Sequence, residues 1–360
     1  MKRLKKADIE TPALLIDLDV LQCNIRMMAD YLKDKPVKLR PHTKCHKTPI
    51  IAHMQMRAGA KGVTVAKLGE AEVMANAGIN DIYIANQVVQ KSKIERLVNL
   101  NRYSNVSVAV DNPHIVETLS NIASRKNVRV KVIEEIDVGL NRCGVLPGKP
   151  AVDLARKITR SKGLVLEGVM GWEGHAAFVP NFKKRKKECN KCYQRSVRTV
   201  KQMSKAGIEV NTVGAGGTCS FNIAAEYPGI NEIQAGSYIF MSIMHSLEGV
   251  PFKSSLTVLT TVVSRPAKDR AIIDGGAQTF STFGGYPKAK GMEGVEVYDL
   301  HMEHGLLRLK NRGIDLKVGD MIEFVPSYPD TTINLHDKFY VMKGDTVEEL
   351  WKIEGRGRVD

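Results

Sequence analysis

The stretch GVTVAKLGEAEVMANAGINDIYIANQVVQKSKIERLVNLNRYSNVSVAV, residues 62–110, decides the fold. It holds three short β-rich runs, at 62–66, 81–85 and 106–110. Between them lie two helix-like patterns, Leu68 to Ala77 and Lys91 to Leu100. Strands separated by a helix pair in parallel through a crossover rather than as hairpins. The same rhythm continues on both sides, with runs at 36–40, 129–136, 166–171, 209–214 and 232–236. Helical patterns fill the gaps at Pro113 to Ser124, Pro150 to Ser161 and Arg185 to Ala206. Eight such strands over roughly 200 residues predict an α/β fold of the (β/α)8 TIM-barrel type. A doubly wound sheet is the alternative, because periodicity does not reveal closure.

The rhythm breaks near residue 252. The runs Thr257 to Val263 and Ala271 to Ile273 have no long helix between them. Turn signals follow at Asp274-Gly275-Gly276, Phe283-Gly284-Gly285 and Val318-Gly319-Asp320. These features predict a barrel over residues 22–252 and an antiparallel β domain over 253–360. The N-terminal segment 1–21, with a strand at Ala13 to Asp17, is expected to join the β domain.

The chain has 360 residues, 43% of them hydrophobic, enough for a sizeable core. No apolar run is long enough to cross a bilayer, and Met1 to Lys6 is charged without a following apolar stretch. A cytoplasmic enzyme with no membrane partner is expected. The formal net charge of +14 would attract anionic small molecules. The densest basic run, Lys183 to Lys187, has no interleaved aromatics and reads as the outer face of a helix rather than a nucleic-acid site. Of six cysteines only Cys189 and Cys192 are close in sequence, and they read as thiols on one helical face.

The chemistry concentrates where barrel strands end. Arg40-Pro41-His42-Thr43-Lys44-Cys45-His46-Lys47 follows the first barrel strand. A lysine crowded by cations loses part of its preference for the ammonium form, as a nucleophile towards aldehydes requires. Arg142 follows the fifth strand and Trp172-Glu173-Gly174-His175 the sixth. Gly216-Gly217-Thr218 follows the seventh and Gly236-Ser237-Tyr238 the eighth. Glycines in the last two loops let backbone N–H groups approach a phosphate, and Thr218, Ser237 and Tyr238 would add hydroxyl donors. A phosphate cradle opposite a lysine points to pyridoxal phosphate. Arg142 would face its phenolic oxygen or a substrate carboxylate. His42, His46 and Lys47 read as hydrogen-bond partners of the site, and Glu70 as a surface charge at a helix start.

These motifs, with Thr11-Pro12-Ala13-Leu14, Leu68 to Glu72, Asp137 to Gly144, Gln234 to Tyr238, Glu303-His304-Gly305 and Val325-Pro326-Ser327, resemble the D-threonine aldolase and D-serine dehydratase family. That family belongs to the alanine racemase-like group of pyridoxal-phosphate enzymes. The resemblance implies a homodimer, an active site between barrel and β domain, and a small-molecule D-amino acid substrate. It assigns the Schiff base to Lys44 rather than Lys47 and places Gln234 near the pyridine nitrogen. It also implies a divalent ion, Mg2+ or Mn2+ in the aldolases, bound by a histidine and, two residues later, an aspartate. Here Asp330 fits that pattern and Tyr328 stands in place of the histidine. Trp172, Gln278 and Ser242 also depart from the usual residues. The implied activity is retro-aldol cleavage of D-3-hydroxy amino acids to glycine and an aldehyde. His175, Tyr328, Asp330 and His304 are the candidates for proton transfer beside Lys44. A D-serine or 3-hydroxyaspartate dehydratase and a metal-free racemase are the alternatives.

Overall fold

The structure is a computed structural model that describes residues 4–311 and 313–360. Strand β1 (Ala13–Asp17) leads into helix α1 (Leu18–Leu32), whose first turn is capped by the Asp17 carboxylate accepting from the Val20 N–H at 3.1 Å. Leu21, Ile25, Met28 and Leu32 form its buried stripe.

Eight parallel strands follow: β2 (Lys38–Leu39), β3 (Val63–Val65), β4 (Asp81–Gln87), β5 (Asn105–Val110), β6 (Val130–Glu135), β7 (Leu164–Met170), β8 (Thr212–Ala215) and β9 (Glu232–Ile233). They form one sheet in the order β2-β9-β8-β7-β6-β5-β4-β3. A parallel bridge from His42 to Thr64 joins its two edges, with Thr64 N–H donating to Pro41 O at 2.8 Å. The ring therefore closes, which the sequence pattern left open. All eight expected strands are present, with β2, β3, β6, β8 and β9 shorter than their sequence runs.

Alternation along the strands sorts side chains between lumen and helix layer. Tyr83, Ala109, Ile133 and Met170 pack together inside the ring, with Ala85 and Trp172 against them. The five expected helices form, at Leu68–Asn76, Lys91–Leu100, Pro113–Arg125, Lys149–Arg160 and Phe182–Lys205. On the last, Lys183, Lys184, Lys186 and Lys187 are exposed as expected, but Arg185 is fully buried. Its guanidinium donates to Val179 O at 2.8 Å, Pro180 O at 3.0 Å and Glu248 O. Cys189 and Cys192 are both buried and free on the inner face of this helix.

The second sheet is built on β10 (Leu256–Ala267), β11 (Arg270–Ile273), β12 (Lys288–Ala289), β13 (Val295–Leu300), β14 (Gly305–Leu309) and β15 (Met321–Val325). Its order β11-β14-β13-β12-β15-β10, with β10 also paired to β11, makes a closed antiparallel barrel. Strand β1 pairs antiparallel with β10 and parallel with β16 (Lys338–Lys343), which forms a hairpin with β17 (Thr346–Lys352). The first strand of the chain thus belongs to the sheet of the last.

The two sheets meet beside the parallel ring's C-terminal end. Ile243 N–H donates to Pro326 O and Met244 N–H to Ser327 O, each at 3.3 Å. Ser327 Oγ donates to Phe283 O at 2.8 Å and Ser281 O at 3.2 Å. One buried apolar cluster runs through both, with Phe240 of the first against Phe339 of the second.

Candidate active site

A cavity of about 270 Å³ opens at the C-terminal ends of the parallel strands. Its wall includes Lys44, Arg142, Trp172, Gly217, Thr218, Gln234, Gly236, Ser237 and Tyr328. Residues far apart in the sequence meet here because all but Tyr328, which comes from the β domain, follow strand ends of the ring. Lys44 lies on a short 3-10 turn, Thr43–Cys45, pinned by Thr43 Oγ1 donating to Thr64 O at 3.2 Å. Its ammonium reaches Asp330 Oδ2 at 3.5 Å. Burial and the neighbouring Lys44 charge hold the His42 imidazole well below its usual range, so it is neutral.

Lys47 takes no part in the cavity. It is 7% exposed and its ammonium is bound to the Glu70 carboxylate. Glu70 is therefore not the surface charge expected. It is 1% exposed, accepting from Lys47 and, at 2.7 Å, from the Ala66 N–H. Two lysines three residues apart thus differ in surroundings: Lys47 is paired with a buried carboxylate, and Lys44 lines the cavity. His46 is also buried, its ring accepting from the Thr48 N–H at 3.1 Å.

The glycine loop is supported from below by Glu173. This buried carboxylate accepts from Ser220 Oγ at 2.6 Å, Tyr193 Oη at 2.9 Å and the Gly216 N–H at 3.3 Å. Burial raises its pKa, and these three donors oppose the rise. A side chain at Gly217 would run into the Trp172 ring at 2.5 Å, and one at Gly236 into His42 O at 2.4 Å. Thr218 Oγ1 is buried with no hydrogen-bond partner. An orphaned donor above a floor only glycine can line fits a phosphate group. Tyr238 does not contribute its hydroxyl as expected. Its ring is fully buried against Phe252 and its oxygen accepts from Gln55 at 2.9 Å.

Arg142 rises from the Asp137–Gly144 loop. Asp137 Oδ1 fixes this loop, accepting from the N–H groups of Gly139 at 2.8 Å and Asn141 at 3.1 Å. The Arg142 guanidinium lies 3.5 Å from Glu135 Oε1, and Gln87 donates to the other carboxylate oxygen at 2.5 Å. Gln234 donates to Glu232 at 3.2 Å, and Glu232 also anchors the buried Arg40 at 3.0 Å. His175 is exposed. It is not among the cavity-lining residues, and its Nε2 lies 3.6 Å from Cys192 Sγ on the long helix. His304 is exposed in the loop between β13 and β14.

Tyr328 lies at the β-domain wall of the cavity, at the start of a one-turn helix, Pro329–Ile333. Burial and the adjacent Asp330 carboxylate hold its proton well above the normal phenol range. Its ring stacks on His245, with centroids 5.4 Å apart, and meets Phe283 edge-on at 5.0 Å. The sequence reading missed His245, which lines the cavity while only 3% exposed. Its Nδ1 lies 2.8 Å from Ser242 Oγ. Burial lowers its pKa to about 4, against the pull of Asp330. The signal available in the sequence was a histidine three residues after Ser242, one of the departures from the family pattern.

The donors do not fit the divalent ion that the resemblance implies. A phenol that keeps its proton is a poor ligand, and it occupies the position of one of the two expected ligands. Among the described residues no three His, Cys, Asp or Glu side chains converge as a metal set would.

A closed parallel barrel with a lysine after its first strand, and a glycine cradle after its seventh, defines a class of enzymes. They share the alanine racemase-like fold and use pyridoxal phosphate. The sequence matches the alanine racemase N-terminal domain over residues 16–243 and the serine dehydratase domain over 255–342. It is 34% identical to a D-threonine aldolase of Arthrobacter sp. over 98% of this chain and 94% of that one. It is 31% identical to a 3-hydroxy-D-aspartate aldolase of Paracoccus denitrificans, covering 99% and 94%. The solved structure of D-threonine aldolase from Filomicrobium marinum superposes with a TM-score of 0.97 at 36% identity, covering 100% of this chain and 99% of that one. The chain belongs to the D-threonine aldolase and D-serine dehydratase-like family of pyridoxal-phosphate-dependent lyases. No helix among the described residues is long and apolar enough to cross a membrane.

Proposed function

We propose that this lyase cleaves D-3-hydroxy amino acids of the D-threonine kind to glycine and an aldehyde. The observation that carries this reading is the ion pair, at 3.5 Å, between Lys44, which lines the cavity, and Asp330 of the β domain. The relatives at 34% and 31% identity are aldolases, while a D-threo-3-hydroxyaspartate dehydratase from Delftia sp. is 25% identical. Asp330 follows the aldolase form of the family pattern rather than the cysteine of the dehydratases.

Lys44 would hold the cofactor through its amine, and Thr218, Ser237 and the backbone of Gly216, Gly217 and Gly236 would hold its phosphate. Trp172 closes the floor beside that loop. Gln234 would face the pyridine nitrogen, with its amide fixed by Glu232. Bound there, pyridoxal phosphate supplies a sink for the electron pair left on Cα. Arg142, steadied by Glu135, would bind the substrate carboxylate and orient the Cα–Cβ bond. Apolar side chains exposed on the β domain, among them Phe283 at 57% and Met302 at 68%, support a homodimer in which a second copy covers this face.

The test is a coupled assay with D-threonine and L-threonine on cofactor-saturated protein. Glycine and acetaldehyde released from the D-enantiomer alone are expected. Pyruvate and ammonia from D-serine at a comparable rate would assign the dehydratase reaction instead. Racemisation without cleavage would assign neither.

A further inference from the structure

The β-hydroxyl of the substrate must lose its proton as the Cα–Cβ bond breaks. In the family pattern a bound divalent ion assists that step, and the donor set here does not fit one. Of the titratable groups gathered round Tyr328, Asp330 is engaged: Lys44 lies 3.5 Å from one oxygen and Ser237 Oγ donates to the other at 3.5 Å. Tyr328 is a phenol, an ordinary weak acid that offers no basic nitrogen or carboxylate. His245 is the remaining candidate. Ser242 Oγ holds its Nδ1 at 2.8 Å, and among the described residues Nε2 has no hydrogen-bond partner. The ring is clamped between Tyr328, stacked at 5.4 Å, and Phe178, edge-on at 5.6 Å. A locked imidazole with one nitrogen anchored and the other free towards a reaction cavity is the arrangement of an oriented general base.

We infer that His245, oriented by Ser242 and by its stack on Tyr328, is the base that removes the β-hydroxyl proton, in the place where relatives use a metal ion. The inference rests on the aldolase reading above. In the tautomer the proposal requires, Nδ1–H donates to Ser242 Oγ and the Nε2 lone pair is left as acceptor. The substrate O–H bond breaks and its proton goes to Nε2. The oxygen's electron pair forms the aldehyde C=O, and the Cα–Cβ pair stays on Cα. A proton then reaches Cα to complete glycine, and the imidazolium releases its own to solvent. Atoms and charge balance with no further reactant. Tyr328 in place of a ligand histidine and Ser242 in place of an aspartate make one coordinated change: the ring that would bind metal is replaced by a phenol that supports a different ring.

The experiment uses cofactor-loaded enzyme and reads two reactions. Cleavage of D-threonine needs the β-hydroxyl base. Exchange of the α-hydrogen of D-alanine with deuterated solvent needs Lys44 and the cofactor, but no such base. His245→Gln is expected to lower kcat for cleavage at least about 100-fold with KM and α-exchange within about threefold of wild type. Elemental analysis should find well under one divalent ion per chain, and dialysis against EDTA should leave kcat within about twofold. Equal loss of cleavage and exchange in His245→Gln, or unchanged cleavage, overturns the proposal. So does one bound ion per chain whose removal abolishes cleavage. If His245→Gln fails to fold, Ser242→Ala reports instead. A kcat lowered about tenfold at unchanged KM supports the role, and an unchanged kcat refutes it. If wild-type enzyme exchanges D-alanine but cleaves no D-3-hydroxy amino acid, the aldolase reading itself is lost, and this inference with it.

Discussion

Lys44 and Lys47 lie within one turn of each other, and their environments divide their roles. Glu70 neutralises Lys47 in the interior, whereas Lys44 faces the cavity. Removing one member of a buried ion pair strands the other charge and typically costs about 3–5 kcal/mol. Lys47→Ala should therefore lower the urea midpoint markedly and still allow the cofactor to be fixed on the chain by borohydride. Lys44→Ala should leave the midpoint nearly unchanged and abolish that fixation, read by mass spectrometry of the peptides. The reverse pattern would reassign the nucleophile. A second residue-scale test concerns the cradle. The Cβ introduced by Gly217→Ala meets the Trp172 ring at 2.5 Å, so the loop must shift. Affinity for pyridoxal phosphate is expected to fall at least about tenfold, since N–H donors displaced by an ångström lose their alignment. Trp172→Phe in the same chain should recover part of it, as titration of the visible cofactor band would show. The sequence made Lys44, Gly217 and Thr218 legible because their types are tied to the chemistry. It left Glu70 and His245 hidden, since only the neighbours that folding brings show whether a charge is buried or a ring is clamped.

Strand β6 shows how an element can carry a cost of its own. Its successive residues alternate between lumen and helix layer, so Glu135 reaches the cavity and Glu134 points the other way. Both Glu134 oxygens are buried without a partner, and burial pushes its pKa up to about 9. The native state thus holds a proton that the unfolded chain releases above about pH 4.5. Stability from this group is full below that pH and falls as the pH rises towards 9. The loss by pH 7 is on the order of 3 kcal/mol at about 1.4 kcal/mol per pH unit. Glu134→Gln cannot titrate. The stability difference between variant and wild type should accordingly swing in favour of the variant from pH 4.5 to 8, measured by urea unfolding at a series of pH values. A difference independent of pH would mean that the carboxyl is ionised in the folded protein. The helix Phe182–Lys205 gives a related lesson about elements. Its basic run is legible as a solvated face, yet Arg185 within it is core. Residues 185, 189, 192, 196 and 199 share the inner side, and of the carbonyls that meet the guanidinium two, Val179 and Pro180, come from the turn just before the helix and one, Glu248, from a loop distant in sequence.

At the scale of the whole molecule, barrel and β domain are bound by a common apolar cluster and by backbone hydrogen bonds at Ile243 and Met244. The cavity needs both, because Lys44 comes from one and Tyr328 and Asp330 from the other. Exposed Phe283, Tyr286 and Met302 on the β domain predict a protein that travels at about twice the 39.8 kDa chain mass in light scattering at micromolar concentration. Phe283→Asp with Met302→Asp should shift it towards the chain mass, and a wild-type monomer at all concentrations would remove the dimer from the reading. The alternation of strand and helix, set by hydrophobic periodicity, was enough to specify a parallel barrel followed by an antiparallel domain. Local patterning encodes which face of each element is apolar, and eight such units have few ways to bury it. Ring closure and the meeting of His245 with Ser242 and Tyr328 were decided only in three dimensions. These depend on contacts between residues tens to hundreds of positions apart, or on which way a ring turns once its neighbours are packed, and no local pattern records either.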